Sequence, residues 1–293
     1  MAKQRGAIVG IRNLVGHAIM AGITQMPLRL RRQLLFGLYL HRWGNFSVPR
    51  TFTEKVNWRM IYDRRRELAW TCDKLAIKDR ATAAGLRTPE TWWHGTDVGD
   101  LTDMSFRGPW VLKPNHRSGL VVFGEGAPDV DAMRQQTAGW LDNFQWVVLG
   151  EWAYSQARPL LVLEERLPLD VPVVDFKILT FDGEPRIIHV DTDRFKDHSR
   201  RFYTTDWVPL ECEMGHPRTP PMPRPKELAS MLDAARVMSE GLDFLRVDLY
   251  LSEGNVYLGE VTPYPAGGLE PIRPHLFDVE WGLLWHLPTG AAT

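Results

Sequence analysis

Two stretches of the chain alternate between apolar and polar residues, and each predicts a β-hairpin. In VVDFKILTFDGEPRIIHVDTDRF (residues 173–195), Asp182-Gly183 separates two alternating runs, which is a strong signal for a tight turn. In FLRVDLYLSEGNVYLGEVTPYP (residues 244–265), the segment Glu253–Asn255 lies between the runs, and we interpret it as a three-residue turn. Successive strand residues lie on opposite faces, so each hairpin has one face for the core.

Helical periodicity occupies much of the remaining sequence. It predicts helices over residues 1–45, after an N-cap at Thr53, and over residues 73–84, 132–149 and 226–242. Shorter apolar runs within residues 109–126 and 159–167 predict further strands. Helices mixed with antiparallel hairpins indicate an α+β fold with more than one sheet.

Composition narrows the class of protein. With 293 residues, 44% of them apolar and 24% charged, the chain can form one large globular domain or two closely packed ones. No apolar run approaches the roughly 18 residues of a membrane span, and polar residues interrupt the N-terminal apolar stretch, unlike a signal peptide. The two cysteines, Cys72 and Cys212, match no zinc or redox spacing. We therefore expect free thiols and a cytoplasmic protein.

Charge is distributed unevenly along the chain. Residues 1–53 contain no acid, although the net charge of the whole chain is only −1. Their basic residues are Lys3, Arg5, Arg12, Arg29, Arg31, Arg32, Arg42 and Arg50. Residues 28–43 predict a basic amphipathic helix. One interpretation is that it contacts an anionic polysaccharide or the inner membrane surface. The other, which we favour, is that it packs on its own domain with a solvated basic face. Nucleic acid is not an expected partner, because acids dominate after residue 53 and no recognition motif is present.

The second hairpin places charges where a strand usually has apolar residues. A three-residue turn would put Asp248 opposite Glu260 and Arg246 opposite Thr262. The Cβ atoms of directly paired residues lie about 4.5–5.5 Å apart, so the two carboxylates need Arg246, a shared proton or a divalent cation between them. Two carboxylates aimed at one point are typical of a Mg²⁺ site completed by phosphate oxygens. An exposed hairpin face with a surface salt bridge explains the same residues, so both interpretations stay open.

Three further segments contain candidate binding residues. Lys113 precedes a loop with Ser118 and Gly119, and backbone amides in such loops can hold phosphate groups. An apolar strand ends in Glu164-Glu165, for which a solvated strand end is the simpler interpretation. A basic loop at residues 194–201 follows the first hairpin, and it suits either phosphate binding or simple exposure to solvent.

Six motifs, in order along the chain, resemble one family. They are FTEKVNWRMIYDR, CDKLAIKDR, WVLKPNHRSG, VDFKILTFDGEPRIIHVDTDRF, FLRVDLY and YLGEVTPYPAGG, which lie between residues 52 and 268. Together they resemble the ATP-grasp superfamily, and specifically its TupA-like branch, named for teichuronopeptide biosynthesis. The resemblance implies two α+β subdomains that grip ATP between antiparallel sheets, with a helical N-terminal extension. The implied divisions are a basic helical segment (1–50), a substrate-side subdomain (51–105), a central lid (106–168) and a C-terminal subdomain (169–293).

The resemblance also implies roles for individual residues around ATP and Mg²⁺. Phosphate contacts are implied for Lys74, Lys113, Ser118, Gly119 and Arg194, the last a catalytic contact to the γ-phosphate. Adenine and ribose contacts are implied for Glu164, Glu165, Arg166, Leu167, Asp175 and its strand neighbour Lys177. Mg²⁺ ligands are implied for Asp248, Glu260 and Thr262, the last of which replaces an Asn found in many members. Arg246 matches a catalytic arginine that stabilises the acylphosphate and the adduct that follows it.

The function implied by the resemblance is ATP-dependent ligation of a carboxylate to an amine through an acylphosphate. The implied substrates are a small carboxylate, such as a sugar acid, and an amino acid, joined in cell-surface polysaccharide or natural-product biosynthesis. Three other functions stay open: a glycosyltransferase of polysaccharide biosynthesis, an ATP-grasp kinase and a non-catalytic polymer-binding protein. A homodimer is also compatible with the sequence.

Overall fold

The computed structural model describes residues 24–169, 173–192 and 198–288. Its α-helices are α1 (Leu28–Leu40), α2 (Phe52–Tyr62), α3 (Lys74–Ala83), α4 (Val130–Gln136), α5 (Trp152–Gln156), α6 (Leu228–Ser239) and α7 (His275–Leu284). Its strands are β1 (Thr91–Gly95), β2 (Pro109–Pro114), β3 (Val122–Glu125), β4 (Leu161–Glu165), β5 (Val174–Phe181), β6 (Glu184–Thr192), β7 (Ser199–Thr204), β8 (Pro209–Leu210), β9 (Glu213–Met214), β10 (Phe244–Ser252), β11 (Asn255–Thr262) and β12 (Ile272–Arg273). Within these ranges, no helix is both long enough and apolar enough to cross a membrane.

A six-stranded antiparallel sheet, in the order β11-β10-β5-β6-β7-β8, forms the larger core. The hairpin predicted at residues 173–195 is β5–β6, and its turn residues Asp182 and Gly183 have φ values of 51° and 76°, as a tight turn requires. Helix α6 packs on one face of the sheet and includes the buried Met231. The other face includes Phe244, whose ring lies 5.3 Å from that of Phe52 in α2. The predicted polar residues of β10 alternate onto this second face.

A separate four-stranded antiparallel sheet has the order β1-β4-β2-β3. Leu112 of β2 and Leu163 of β4 are buried with Met133 of α4 in a second hydrophobic cluster. Lys113 and Glu164 alternate with these leucines and therefore lie on the opposite face. Strand β1 pairs with β4, so this sheet takes residues from both sides of the implied division at residues 105 and 106. The four implied divisions stay predictions.

Helix α2 begins with a capping box whose N-cap is Thr51. The sequence pattern predicts the N-cap two residues later, at Thr53. The hydroxyl of Thr51 accepts a hydrogen bond from the N–H of Glu54 (3.3 Å), and the Glu54 carboxylate accepts one from the N–H of Thr51 (3.2 Å). The predicted N-cap, Thr53, was wrong, because its hydroxyl donates to Asp278 of α7 (2.7 Å). This contact fixes α2 against α7 at one end of the larger sheet.

Helix α1 is held on the rest of the molecule by two buried arginines. Arg31 donates to the carbonyl oxygen of Val147 (2.6 Å). Arg32 donates to the side chain of Asn57 (2.8 Å) and to the carbonyl oxygen of Gly267. The favoured interpretation, that this helix packs on its own domain, is confirmed for α1. Residues 1–23 of the predicted N-terminal helical segment lie outside the described residues.

Candidate active site

The candidate site is built on the hairpin of β10 and β11. Asp248 pairs directly with Glu260, and Arg246 pairs directly with Thr262, as predicted. These four side chains alternate with buried residues such as Val247, so they share one face of the larger sheet. The charged residues therefore converge on one surface while their neighbours form the core.

The turn of this hairpin differs from the prediction, and a bulge restores the pairing. Ser252 pairs with Asn255 across a two-residue turn, Glu253–Gly254, whose φ values are 50° and 72°. This shorter turn would shift the pairing by one residue, but the register shifts back closer to the site, where Gly259 is the extra residue of a β-bulge. A Cβ atom at Gly259 would lie 2.4 Å from the ring of Tyr250. Glycine therefore lets the strand bulge beneath that ring.

Arg246 neutralises the paired carboxylates only in part. Its Nε and Nη2 donate to the two oxygens of Asp248 (2.7 and 2.6 Å), whereas its Nη2 lies 3.8 Å from Oε1 of Glu260. Burial raises the pKa of Asp248, although the positive charges of Arg246 and Lys177 act in the opposite direction. A buried carboxylate whose ionised form is disfavoured is stabilised by a further cation, which a divalent metal ion would supply.

The residues present fit a Mg²⁺ ion that takes part of its shell from another molecule. Asp248 and Glu260 offer carboxylate oxygens, and the hydroxyl of Thr262 accepts a hydrogen bond from the N–H of Tyr264 (3.2 Å). Mg²⁺ usually binds one or two carboxylates together with substrate phosphates and water. Among residues 24–169, 173–192 and 198–288, no cluster of three or more His, Cys, Asp or Glu could hold a metal ion alone. The protein ligands thus leave room for phosphate oxygens.

A second charged cluster on the same face is centred on Asp191, which none of the predicted roles includes. Its carboxylate lies 3.2 Å from Lys177 of β5, 2.8 Å from His189 of β6 and 2.7 Å from Arg200 of β7. Nε2 of His198 lies 3.0 Å away. Burial opposes ionisation of Asp191, yet its basic neighbours, above all His189, hold its pKa well below the ordinary value. Asp191 therefore fixes the positions of basic side chains from three strands.

A cavity of about 230 Å³ lies between this cluster and Arg246. Its wall includes Lys177, Arg200 and the rings of His198 and His216, whose centroids are 3.6 Å apart. Pockets for drug-sized ligands are commonly about 300–1,000 Å³, so this cavity suits a smaller polar molecule. Asp191 and Glu270 also lie in the wall and pair with Lys177 and Arg200, so the wall offers both positive and negative groups to a polar molecule.

Lys113 and Glu164 on the smaller sheet form the other half of the candidate site. Glu164 is buried and forms ion pairs with Lys113 and with Lys78 of α3, the latter at 2.6 Å. Burial disfavours the charge of Glu164, but the two ammonium groups hold its pKa below the ordinary value. Lys78 was not predicted, although it follows Lys74 by one helical turn. The implied phosphate contact of Lys113 and the adenine contact of Glu164 stay predictions.

Lys74, at the start of α3, is buried against the loop that follows β2. Its Nζ donates to the carbonyl oxygens of Pro114 (2.9 Å) and Arg117 (2.6 Å). Burial lowers the pKa of Lys74 to about 8, while the negative charge of Glu260 acts to raise it. Lys74 is therefore within electrostatic reach of Glu260 on the larger sheet and of Lys113 and Glu164 on the smaller one. Its implied contact to a phosphate stays a prediction.

Four of the remaining predicted contacts lie in connecting segments and are exposed or half-buried: Ser118, Gly119, Arg166 and Leu167. Glu165 and Asp175 lie in strands, at the end of β4 and near the start of β5. The side chain of Glu165 accepts a hydrogen bond from the N–H of Glu90 (2.8 Å), and Asp175 lies 3.1 Å from Lys177. Arg194 lies outside the described residues.

A comparison with known protein families identifies the family to which this chain belongs. The family model described as TupA-like ATPgrasp matches residues 54–285. The chain belongs to the TupA-like ATP-grasp family. The expectation from the six motifs is confirmed, as is an α+β fold with antiparallel sheets. Among proteins of curated function, none matches the chain.

Solved structures similar to this TupA-like ATP-grasp chain are distant ligases. D-alanine–D-alanine ligase from Helicobacter pylori is 18% identical, with a TM-score of 0.45 over 79% of this chain and 63% of that one. The corresponding ligase from Bacillus anthracis, complexed with ATP, is 19% identical, with a TM-score of 0.40 over 67% and 55%. L-amino acid ligase from Bacillus licheniformis is 15% identical, with a TM-score of 0.43 over 68% and 42%. The chain thus spans less than two thirds of the length of each of these ligases.

The structure of this TupA-like ATP-grasp protein brings most of the predicted residues into two groups. One face of the larger sheet holds Asp175, Lys177, Arg246, Asp248, Glu260 and Thr262. The second group, on the smaller sheet and α3, holds Lys74, Lys113 and Glu164. None of the predicted roles included Lys78, Asp191 or His216, and of these only Lys78 had a usable signal, its spacing from Lys74. His198 and Arg200 belong to the basic segment 194–201, which the sequence marked for phosphate binding or simple exposure. Arg200 is neither in a loop nor exposed, because it is buried in β7.

Proposed function

We propose that the protein is an ATP-dependent ligase that joins a carboxylate to an amine. The observation that supports this most is the direct pairing of Asp248 with Glu260 beside Arg246, within electrostatic reach of Lys74, which also feels the charge of Lys113. Two acids for Mg²⁺, an arginine next to them and two lysines are the groups that phosphoryl transfer from ATP requires. Membership of the TupA-like ATP-grasp family supports the same chemistry.

The reaction would proceed in two steps. A carboxylate oxygen of the first substrate attacks the γ-phosphorus of ATP, and ADP leaves with the electrons of the broken P–O bond. The amine then attacks the carbonyl carbon of the acylphosphate, phosphate leaves, and the nitrogen loses a proton to give the amide. Mg²⁺, when bound to Asp248 and Glu260, would reduce the negative charge of the phosphates. Arg246 lies where it could stabilise the oxyanion of the second step, a contact worth about 3–4 kcal/mol in comparable sites.

The cavity beside Arg246 supports a small substrate rather than a long polymer segment. Its volume is about 230 Å³, and Lys177 and Arg200 lie in its wall. A small polar cavity lined by both bases and acids favours a compact molecule with a carboxylate and further polar groups, such as an amino acid or a single sugar acid. We therefore propose an amino acid and a sugar acid or similar carboxylate as the substrate pair, in surface-polysaccharide or natural-product biosynthesis.

A screen of ADP release would test this function. The purified protein is incubated with Mg²⁺–ATP, a panel of sugar acids and amino acids, and hydroxylamine, which traps acylphosphates as coloured hydroxamates. We expect a carboxylate-dependent hydroxamate, and we expect Asp248→Asn and Glu260→Gln to abolish it while both variants still fold, as judged by a cooperative thermal unfolding transition. Glu253→Gln, in the exposed turn of the same hairpin, is the matched control and should keep full activity.

Other outcomes of the screen would point to other functions. A stable phosphorylated product without hydroxamate would indicate a kinase, and thermal protection by a nucleotide sugar instead of ATP would indicate a glycosyltransferase. Full turnover by Asp248→Asn would refute the metal assignment. No ATP turnover with any pair, together with no ATP protection, would refute the ligase proposal.

A further inference from the structure

Helix α1 exposes a row of large apolar side chains. Leu30, Leu34 and Leu38 are 49%, 43% and 66% exposed, and their spacing of four residues places them on one face of the helix. We call these three residues the leucine stripe. Trp43 and Val48, in the segment that follows α1, are 70% and 62% exposed. Clusters of exposed large apolar residues usually mark an interaction surface.

The helix cannot turn this row inward, because its opposite face is already occupied. Arg31 and Arg32 are buried and donate to main-chain oxygens of Val147 and Gly267. Phe36, on the same side, is fully buried against Phe46, with the ring centroids 5.3 Å apart. Rotating α1 to bury the leucine stripe would break these contacts and leave buried guanidinium groups without partners, which is costly.

The charges around the leucine stripe indicate the chemistry of what covers it. Arg29 and Arg50 are exposed, whereas Arg31 and Arg32 are buried and Arg42 pairs with Glu54 and Asp278. No acid occurs in residues 1–53, so a second copy of α1 would bring the exposed Arg29 of each copy together without an acid on either helix. Residues 1–23 contain only basic charges and would also add positive charge. An anionic polysaccharide would satisfy the bases but not the leucines. A surface that is apolar just beneath an anionic layer satisfies both.

We propose that α1 lies on the surface of an anionic lipid membrane, with the leucine stripe below the headgroups and the exposed Arg29 and Arg50 at the phosphates. Amphipathic helices with this arrangement bind in the plane of the interface, and their affinity combines apolar burial with attraction to anionic lipids. The 13 residues of α1 extend about 20 Å, so the helix lies along the surface and does not span it. The proposal does not depend on the ligase function.

Vesicle binding tests the proposal directly. The full chain is sedimented with vesicles of phosphatidylcholine, or of equal parts phosphatidylcholine and phosphatidylglycerol, at low and high salt. We expect the protein to bind only to the anionic vesicles. We expect much weaker binding at high salt, because salt screens the attraction between the arginines and the lipid phosphates. Leu34→Glu and Leu38→Glu should each weaken binding at least tenfold, because burial of a leucine is worth that much. Val237→Glu is the control: Val237 is 46% exposed on α6, across the larger sheet, and its substitution should leave binding unchanged.

A fluorescent label reports which surface meets the lipid. Cys72 and Cys212 are only 4% and 1% exposed, so a thiol-reactive nitrobenzoxadiazole dye should label a cysteine introduced by Leu38→Cys selectively. Its emission should rise and shift to the blue on anionic vesicles, whereas the same dye at Val237→Cys should not respond.

Three results would overturn the proposal. One is absence of binding to anionic vesicles, or binding that the leucine substitutions do not weaken. Another is a dimer that Leu38→Glu dissociates, which would identify a second copy as the occupant. The third is a dye at position 38 that is already blue-shifted without vesicles, which would mean that another part of the chain covers the leucine stripe.

Discussion

Gly259→Ala tests whether the β-bulge in β11 positions the candidate metal ligands. In the structure, a Cβ atom at this position would lie 2.4 Å from Cε2 of Tyr250, whereas an ordinary contact is 3.4–4 Å. The backbone of Gly259 does not have a positive φ in this structure, so the ring of Tyr250 is the obstacle and the backbone is not. Either the ring moves by about 1 Å or the strand loses its bulge, and overpacking of this size typically costs about 1–3 kcal/mol.

Loss of the bulge would affect both the site and the stability, because a one-residue change of register moves every following side chain to the other face of the sheet. Glu260 and Thr262 would then exchange positions with core residues such as Val261, and a carboxylate in the core is costly. We therefore expect Gly259→Ala to abolish Mg²⁺-dependent ADP release and to lower the free energy of unfolding by at least the roughly 1–3 kcal/mol of overpacking.

Urea unfolding and ADP release together decide the outcome. The double variant Tyr250→Ala/Gly259→Ala removes the ring that the new methyl group meets, so it should regain activity relative to Gly259→Ala alone. Gly108→Ala is the control, because a Cβ atom there has no neighbour within 4 Å. A Gly259→Ala protein with the stability and activity of the natural one would refute the reasoning. So would a double variant that is no better than the single one.

Two further predictions concern buried carboxyl groups. Burial raises the pKa of Glu151 to about 8, so the folded chain keeps a proton that the unfolded chain loses above its ordinary pKa of 4.5. The free energy of unfolding should therefore fall as the pH rises from about 4.5 to about 8, by about 3 kcal/mol at pH 7. Urea unfolding of Glu151→Gln should show no such fall. A variant with the same pH dependence as the natural protein would contradict this prediction. Glu164→Gln should cost about 3–5 kcal/mol, because Lys113 and Lys78 lose their shared negative partner. Glu165→Gln is the control in thermal unfolding. Equal melting temperatures for the two variants would contradict this prediction.

The elements that depend on local pattern were predictable from the sequence. The turn at Asp182-Gly183 and the alternation in β10 were correct, because turn chemistry and strand periodicity act over a few neighbouring residues. The pairing of Asp248 with Glu260 was also correct, but two errors cancelled: the turn is one residue shorter than predicted, and the bulge at Gly259 adds one residue back. A bulge depends on what packs over the strand, here the ring of Tyr250.

The first hairpin shows what only the tertiary structure could decide. Counting outward from its tight turn would place Asp191 on the core face, but the register shifts next to Thr180 and sets Asp191 opposite Asp175. Arg200 and Lys177 reach Asp191 from different strands. The sequence by itself determined the two hairpins and the family to which the chain belongs, but it predicted a loop for residues 199–201, which begin β7. The order of the strands, their bulges and the burial of their charges decided which side chains meet, because these depend on contacts between residues far apart in the chain.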